Sequence, residues 1–535
     1  MRRSRFRKIA IIAQYDTIQK KIILHGSPRR IAMLRDFYLW THLEFRGEIV
    51  EEMYLFSKFD LFGDRELNIW TMPSYSSVYL HGAIKKFDSD VDVLIVDVMD
   101  EENKEEVLTK LKDYNPDAIF LSTTFCLRLP SIRLLLNEIR NNVSAASIMI
   151  GGHFIAKELH YTDNRVNLLE QFGLNIHIAS GLFGEREVVS FLQQDQPMEG
   201  TELIWIDGDG RRYECSSGMG AAEFENSVVN YKGFPFCERA APVRTVIGCP
   251  FHCAFCSYHQ MAGKLRLRDI ELVVQELQTL DAMGVKHVVF IDDTVNIPKN
   301  RFLLLLDSMI DRKLTNFHCY SFCRCQFVDD EVAKKMARCG FKSVLLGIES
   351  GSEEILVNMN KNAKPNEYLA GIEKLKKNGI ATFGAIIIGF PGETEDTINT
   401  TIDFVNSSGL DFVYVQPYFY LHNSPVYEDR DKYLLRGEGP IWKHQTMNSK
   451  DCNTIVKNIF DRIDGPLHTH LENTMWEFVY LSSVGFSLDD YRLYRTMINN
   501  IRSKQIAGDW SSDAFIEAEV LRFKKNRSFV TGQEN

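Results

Sequence analysis

Two apolar patterns alternate through the first part of the chain. Lys8–Gln14 and Val91–Val98 are continuous, β-branched runs, the pattern of strands buried on both faces. Pro116–Ser122, Ser147–Gly151 and Ile176–Ser180 read the same way. Between and after them, Glu102–Lys112, Ser131–Asn141 and Glu185–Gln193 carry the helical period. Such alternation predicts an α/β domain built on a doubly wound parallel sheet. Sheets of this kind take ligands at the carboxyl ends of their strands. Those ends are Ser122, Thr123 and Thr124; Gly151, Gly152 and His153; and Ser180 to Gly184, which includes Gly181.

A more polar stretch, Asp207 to Lys232, reads as a linker. From Val243 the strand–helix pattern restarts six times. The strands are Val243–Ile247, His287–Ile291, Phe317–Cys325, Ser343–Gly347, Thr382–Ile388 and Phe412–Tyr418. Helices such as Asp269–Met283 and Asp396–Asn406 lie between, with Gly284, Gly340 and Gly379 placed as helix-terminating glycines. Six units predict a partial (β/α)6 TIM-like barrel that works at the carboxyl ends of its strands. After Arg430 the texture changes to aromatic-rich helices as far as Arg502, and the last residues are polar enough to fray. The expected domains are 1–205, a linker over 206–240, the barrel over 241–430 and a helical domain over 431–535.

Composition narrows the class of function. Hydrophobic residues make up 45% of the 535 and charged residues 25%, which excludes a disordered or fibrous chain. No apolar run reaches the ~18 residues of a membrane span. The basic start, Met1 to Lys8, precedes an apolar run too short for a signal peptide. A cytoplasmic protein with no membrane partner is expected. The net charge of −10 lacks the basic footprint of a nucleic-acid binder.

Eleven cysteines are an odd number, so metal or catalysis is expected for the clustered ones rather than a disulfide framework. Cys249, Cys253 and Cys256 follow the first barrel strand in a C-x₃-C-x₂-C loop. Three thiolates from one turn suit an iron–sulfur cluster with one iron left open. A zinc site completed by His252 or His259 is the alternative. Cys319, Cys323 and Cys325 share one face of their strand, with Arg324 on the other, and read as packing in the helix layer.

With Phe255 before its third cysteine, the triplet resembles the hallmark of the radical S-adenosylmethionine (SAM) superfamily. The resemblance runs from about Val243 to Arg430. It implies a [4Fe–4S] cluster on Cys249, Cys253 and Cys256, with SAM chelated to the open iron. Asp292 and Asp293 stand where many members have Gly-Gly-Glu, and one of them would receive the SAM ammonium. Arg324 would face the SAM carboxylate, and Glu349 and Ser350 would be polar groups beside SAM. Gly389 to Thr394 resembles the family's closing turn after strand five.

A doubly wound domain ahead of such a barrel resembles the cobalamin-binding radical SAM proteins, whose N-terminal domain is Rossmann-like and holds the corrin. The matching stretches include Ser122–Thr124, Gly151–Gly152 and Gly181–Glu187, with Glu185 in the last. The D-x-H-x-x-G motif is absent, so the resemblance implies cobalamin bound without a histidine ligand; a domain that has lost the corrin is the alternative. A methylthiotransferase would need three suitably spaced N-terminal cysteines, and only Cys126 precedes the linker.

What the family implies is a methyltransferase that uses a 5′-deoxyadenosyl radical and methylcobalamin on a small molecule. A low-potential donor such as flavodoxin or ferredoxin would supply electrons. Tyr418 and His422 are the catalytic candidates at the mouth, with Tyr420 between them; aromatic packing is the competing reading. Gly439 to Met447 resembles the branch that methylates phosphorus in phosphinothricin-type biosynthesis, where Arg430, Arg436, Lys443 and His444 are candidate partners for a phosphinate. Carbon methylation competes with it. A non-methylating cobalamin radical SAM enzyme, or an iron–sulfur electron-transfer or sensor protein, is the alternative.

Overall fold

A computed structural model describes residues 3–15, 21–22, 42–53, 55, 58–59, 73–99, 103–124, 129–152, 154–155, 172–173, 176–179, 184–193, 203–206, 212–215, 222–227, 229–231, 234, 240–469, 474–508 and 513–531. The chain divides into two compact units. One holds residues 1–19, 72–248 and 261–284; the other holds 20–71, 249–260 and 285–535.

In the first unit, period-two alternation sorts a single strand into two cores. Within Lys8–Tyr15, Ala10 and Ile12 pack with Leu108, Leu111, Ile132 and Ile139, on the side of the helices Lys104–Tyr114 and Leu129–Asn142. Ile9, Ile11 and Ala13 face the other way, onto Ile84, Val188 and Phe191 of the helices Tyr75–Phe87 and Glu185–Gln193. Each fully buried Ile or Leu contributes roughly 1.5–3 kcal/mol, so a one-residue register slip is disfavoured on both faces at once.

The parallel strands lie in the order Asp92–Met99, Lys8–Tyr15, Ala118–Ser122, Ser147–Gly151, Ile176–Ala179. In sequence rank this is 2-1-3-4-5, whose switch point falls between Lys8–Tyr15 and Ala118–Ser122. The doubly wound α/β sheet expected from the sequence is present. It also extends further than expected. Leu203–Ile206, at the end of the expected domain, and Arg212–Cys215, inside the stretch read as a linker, add two antiparallel strands on that side.

In the second unit the parallel strands His287–Phe290, His318–Cys323, Phe341–Glu349, Ala381–Ile388 and Phe412–Pro417 pair in chain order. Leu467–His468 then pairs in parallel beyond Phe412–Pro417, a strand hidden within a region read as helical. The expected first barrel strand falls in the first unit instead, broken into Ala240–Val243 and Val246–Ile247, and the second piece pairs antiparallel with Arg266–Leu267 of that unit. The helices Thr474–Ser483, Leu488–Ile506 and Asp513–Thr531 follow. The last of these lies where fraying was expected, because Ile516, Val520 and Phe523 are buried.

The hairpin His42–Phe45 and Glu48–Glu51 also belongs to this second unit. Gln505 Nε2 donates to the Glu44 carbonyl at 2.7 Å. Glu52 is buried beside Arg495 and Arg502. These residues fall within the span expected to form the N-terminal domain.

Candidate functional site

The cysteine loop belongs to the same compact unit as the barrel strands, and two backbone bonds fix it there. Ala254 N–H donates to the Met359 carbonyl at 2.8 Å, and Val426 N–H donates to the Ala254 carbonyl at 2.9 Å. Asn360 Nδ2 adds a bond to the His252 carbonyl. Cys253 is buried, while Cys249 and Cys256 are partly exposed. Burial pushes the Cys249 thiol up, and burial with the two neighbouring thiols pushes Cys256 up to about 11. Cys249 and Cys256 each feel the neighbouring loop sulfurs, and thiols desolvated in this way give up their protons to a bound cation, as metal and cluster ligands do.

Beside the loop stands a buried polar group. Arg324 Nη2 donates to Cys253 Sγ at 3.1 Å and Nη1 donates to the Lys361 carbonyl at 3.2 Å. Its guanidinium lies 3.5 Å from the centroid of Phe251. Lys361 Nζ bonds Glu349 Oε1 at 2.8 Å and sits 5.7 Å from the Phe255 ring centroid. Four of the expected residues, Cys253, Phe255, Arg324 and Glu349, are therefore gathered in one place.

Glu349 reaches this position through local strain. The strand shifts register between Gly347 and Glu349, and Glu349 has φ +66°, a conformation that costs about 1–3 kcal/mol for a non-glycine residue. A Cβ at Gly347 would lie 2.6 Å from Glu349 Oε1 and 3.1 Å from Lys361 Nζ. Glycine there lets the ion pair lie across the strand. Ser350, by contrast, is buried with its hydroxyl on Thr401 Oγ1 at 3.0 Å. Asp292 is fully buried, whereas Asp293 is exposed and its charge is felt at Cys249.

Two expected catalytic residues are placed differently. Tyr418 is 2% exposed, packed against Phe390 and Trp442. Its hydroxyl has no partner among the described residues, and its ring does not stand open at the mouth. His422 is exposed, and its Nε2 meets the Gly437 carbonyl at 2.8 Å. Aromatic packing accounts for the first and a hairpin contact for the second. Cys319, Cys323 and Cys325 are all buried; Cys319 Sγ donates to the Cys339 carbonyl and Cys325 Sγ to that of Tyr368.

Residues that sequence reasoning missed include Lys361, Phe251 and Asn296. Lys361 lies between Asn360 and Asn362, both at positive φ. Asparagine is the non-glycine residue best suited to that conformation, and an Asn-Lys-Asn run was the available signal. Glu393 lies within the Gly389–Thr394 turn. It is fully buried and accepts from the Gly389 N–H, and burial pushes its carboxyl from the ordinary 4.5 up to about 8.

Between those two pH values the folded chain holds a proton on Glu393 that the unfolded chain has released, so stability falls as pH rises through this window. Glu393→Gln is expected to remove that component. The variant should gain Tm relative to the parent as pH rises from about 5 to 8, and a constant difference in thermal unfolding would refute the assignment.

In the first unit the carboxyl ends of Ala118–Ser122 and Ser147–Gly151 are tightly packed. Thr123 Oγ1 donates to the Gly151 carbonyl at 2.9 Å, and Ser122 and Thr124 share a hydrogen bond at 3.1 Å. Gly152 has φ +104°, and a Cβ there would lie 2.9 Å from Thr123 N and 3.0 Å from Thr124 N. Glu185 begins its helix as expected. Gly181 lies outside the described residues.

Residues 243–405 match the radical SAM superfamily. The chain carries a radical SAM domain. The expectation of a radical SAM enzyme is thereby borne out. An uncharacterized methyltransferase of Pyrococcus horikoshii is 26% identical over 354 residues, covering 64% of this chain and 75% of that one. A putative methylthiotransferase of Methanocaldococcus jannaschii is 30% identical, over 32% of this chain and 40% of its own.

Among solved structures, the radical SAM methyltransferase TsrM of Kitasatospora setae, with tryptophan substrate and a SAM analogue bound, aligns with a TM-score of 0.58 at 17% identity. That alignment covers 84% of this chain and 96% of TsrM. The cobalamin-dependent radical SAM enzyme OxsB, with aqua-cobalamin and SAM bound, aligns at 0.56 and 12% identity over 98% of this chain and 84% of its own. Their fold, an α/β chain that includes the radical SAM domain, is shared by this chain.

Proposed function

We propose that this chain is a cobalamin-dependent radical SAM methyltransferase acting on a small molecule. The observation that carries the reading is the buried group around Cys253: three loop thiols, a guanidinium on one of them, and a strained Glu349 paired with Lys361. An electron-transfer or sensor protein has no use for that carboxylate, whereas a cationic cosubstrate does.

The residues fit the groups this reading requires. Cys249, Cys253 and Cys256 would hold a [4Fe–4S] cluster; Glu349 and Asp293 would meet the positive side of SAM. Ser122, Thr123, Thr124, Gly151 and Gly152 would line a cobalamin site at the carboxyl ends of Ala118–Ser122 and Ser147–Gly151, where small residues let a ligand approach the backbone. When bound, cluster and SAM supply a 5′-deoxyadenosyl radical for hydrogen abstraction, and cobalamin carries the methyl group. The chain's own part is to hold these groups in place and to keep water from them.

For the acceptor, an unactivated carbon is the better supported choice. A phosphinate would need cations. Arg436 is already paired with Asp431 at 3.0 Å, Arg430 lies over the Tyr427 ring, and His444 is buried with its pKa lowered by desolvation, which leaves the exposed Lys443 of the four candidates.

The test is anaerobic reconstitution with iron, sulfide and hydroxocobalamin, then SAM and a low-potential reductant. Retained cobalamin with both 5′-deoxyadenosine and S-adenosylhomocysteine is expected. 5′-Deoxyadenosine alone, with candidate acceptors present, would replace this reading by a non-methylating enzyme. No retained cobalamin would remove the corrin from it. Gly152→Ala is expected to release cobalamin while the reconstituted cluster still cleaves SAM. Equal retention by parent and variant would place the corrin elsewhere.

A further inference from the structure

Arg324 follows the strand His318–Cys323 and is restrained from several directions. Its N–H donates to Asn296 Oδ1 at 3.0 Å, and Asn296 Nδ2 donates back to its carbonyl at 2.8 Å. Asn296 is itself fully buried. The guanidinium stacks on Phe251, and its donors go to the Lys361 carbonyl and Cys253 Sγ. Among the described residues the side chain meets a carbonyl and a sulfur rather than a carboxylate. It is 6% exposed, and a buried guanidinium needs an anion. The acceptor this fold places beside it for that role is the Cys253 sulfur.

We propose that Arg324 is a positioning residue for the cluster's charge: its N–H···S bond to Cys253 sets the reduction potential, and Cys253, not the SAM carboxylate, is its principal partner. The inference rests on the cluster reading of Cys249, Cys253 and Cys256. Reduction moves one electron from a low-potential one-electron donor to the cluster; no bond is made or broken and no proton is transferred. The reduced form is the more negative one, so a cation hydrogen-bonded to a ligating sulfur favours it. The Asn296 clamp fixes the backbone and the Phe251 ring fixes the plane of the guanidinium. Swinging the side chain to another anion would therefore break several contacts together.

The experiment is a redox titration of the reconstituted full chain without SAM, followed by electron paramagnetic resonance of the reduced cluster. Arg324→Gln is expected to lower the ratio of reduced to oxidised cluster about tenfold at a fixed ambient potential, a shift of ~59 mV for a one-electron couple. Arg324→Lys, which keeps the charge, should recover part of it. SAM affinity, read from the SAM-induced spectral change, should stay at the parent value.

An unchanged potential together with weakened SAM binding would overturn the inference and return Arg324 to the SAM carboxylate. If Arg324→Gln holds no cluster, Phe251→Leu decides, because it keeps the guanidinium but frees its orientation. A negative shift there supports the role and an unchanged potential overturns it. A parent chain that assembles no cluster would instead fail the underlying reading.

Discussion

Cys253→Ala abolishes cluster assembly and SAM cleavage in the expected outcome, while the chain still folds. The loop around it is held by backbone bonds from Ala254 to Met359 and from Val426 to Ala254, neither of which involves the sulfur. Removing Sγ takes away one of three iron ligands. It also strips Arg324 of the sulfur acceptor beside its buried guanidinium. Both effects act against the cluster, so 5′-deoxyadenosine formation should fall to the level of protein that was never reconstituted.

Cys323→Ala is the matched control. Cys323 is equally buried but lies on the strand beneath the site, where a thiol packs as a small apolar group. It should keep cluster absorbance and SAM cleavage. Parent-level 5′-deoxyadenosine from Cys253→Ala would refute the ligand assignment outright.

The second large effect is on stability, far from the cysteines. Glu477 is fully buried and accepts from Tyr491 at 2.9 Å, from Tyr494 at 2.7 Å and from Arg495 at 3.2 Å. Arg495 also holds Glu52 at 2.6 Å and donates from Nε to the His468 carbonyl. Arg502 closes the group on Glu52. Breaking a buried pair by deleting one member leaves uncompensated polar groups and costs roughly 3–5 kcal/mol.

Glu477→Ala should accordingly lose several degrees of Tm, while Glu477→Gln, which keeps an acceptor for the tyrosines, should lose less. Equal melting of parent, Gln and Ala variants would mean that the network contributes specificity rather than stability. The same network ties the hairpin over residues 42–51 to the C-terminal helices, which is why that segment belongs to the second unit.

Much of the fold was legible because its signals are local. Continuous β-branched runs separated by amphipathic helices specify parallel strands buried on both faces, and apart from the broken first barrel strand these appeared within a residue or two of the expected positions. The weaker elements had no such signal. Leu203–Ile206 and Arg212–Cys215 are strands of four residues each, the second at the sheet's edge. Leu467–His468 is two residues long, and only its pairing with Phe412–Val413 makes it a strand.

The site divides along the same line. The spacing of Cys249, Cys253 and Cys256, with Phe255 before the third, is written in consecutive residues, as is the placing of Ser122–Thr124 and Gly151–Gly152 at strand ends. That alone determined the class of chemistry, because ligands from one loop need no distant partner to be recognised. Tertiary structure alone decided what each polar side chain meets. Arg324 reaches Cys253, 71 positions earlier in the chain, and Lys361 reaches back to a Glu349 turned by a bulge. Tyr418 faces a ring 24 residues later rather than the open mouth. Such pairings follow from strand register and loop closure over long separations, and local sequence pattern does not encode them.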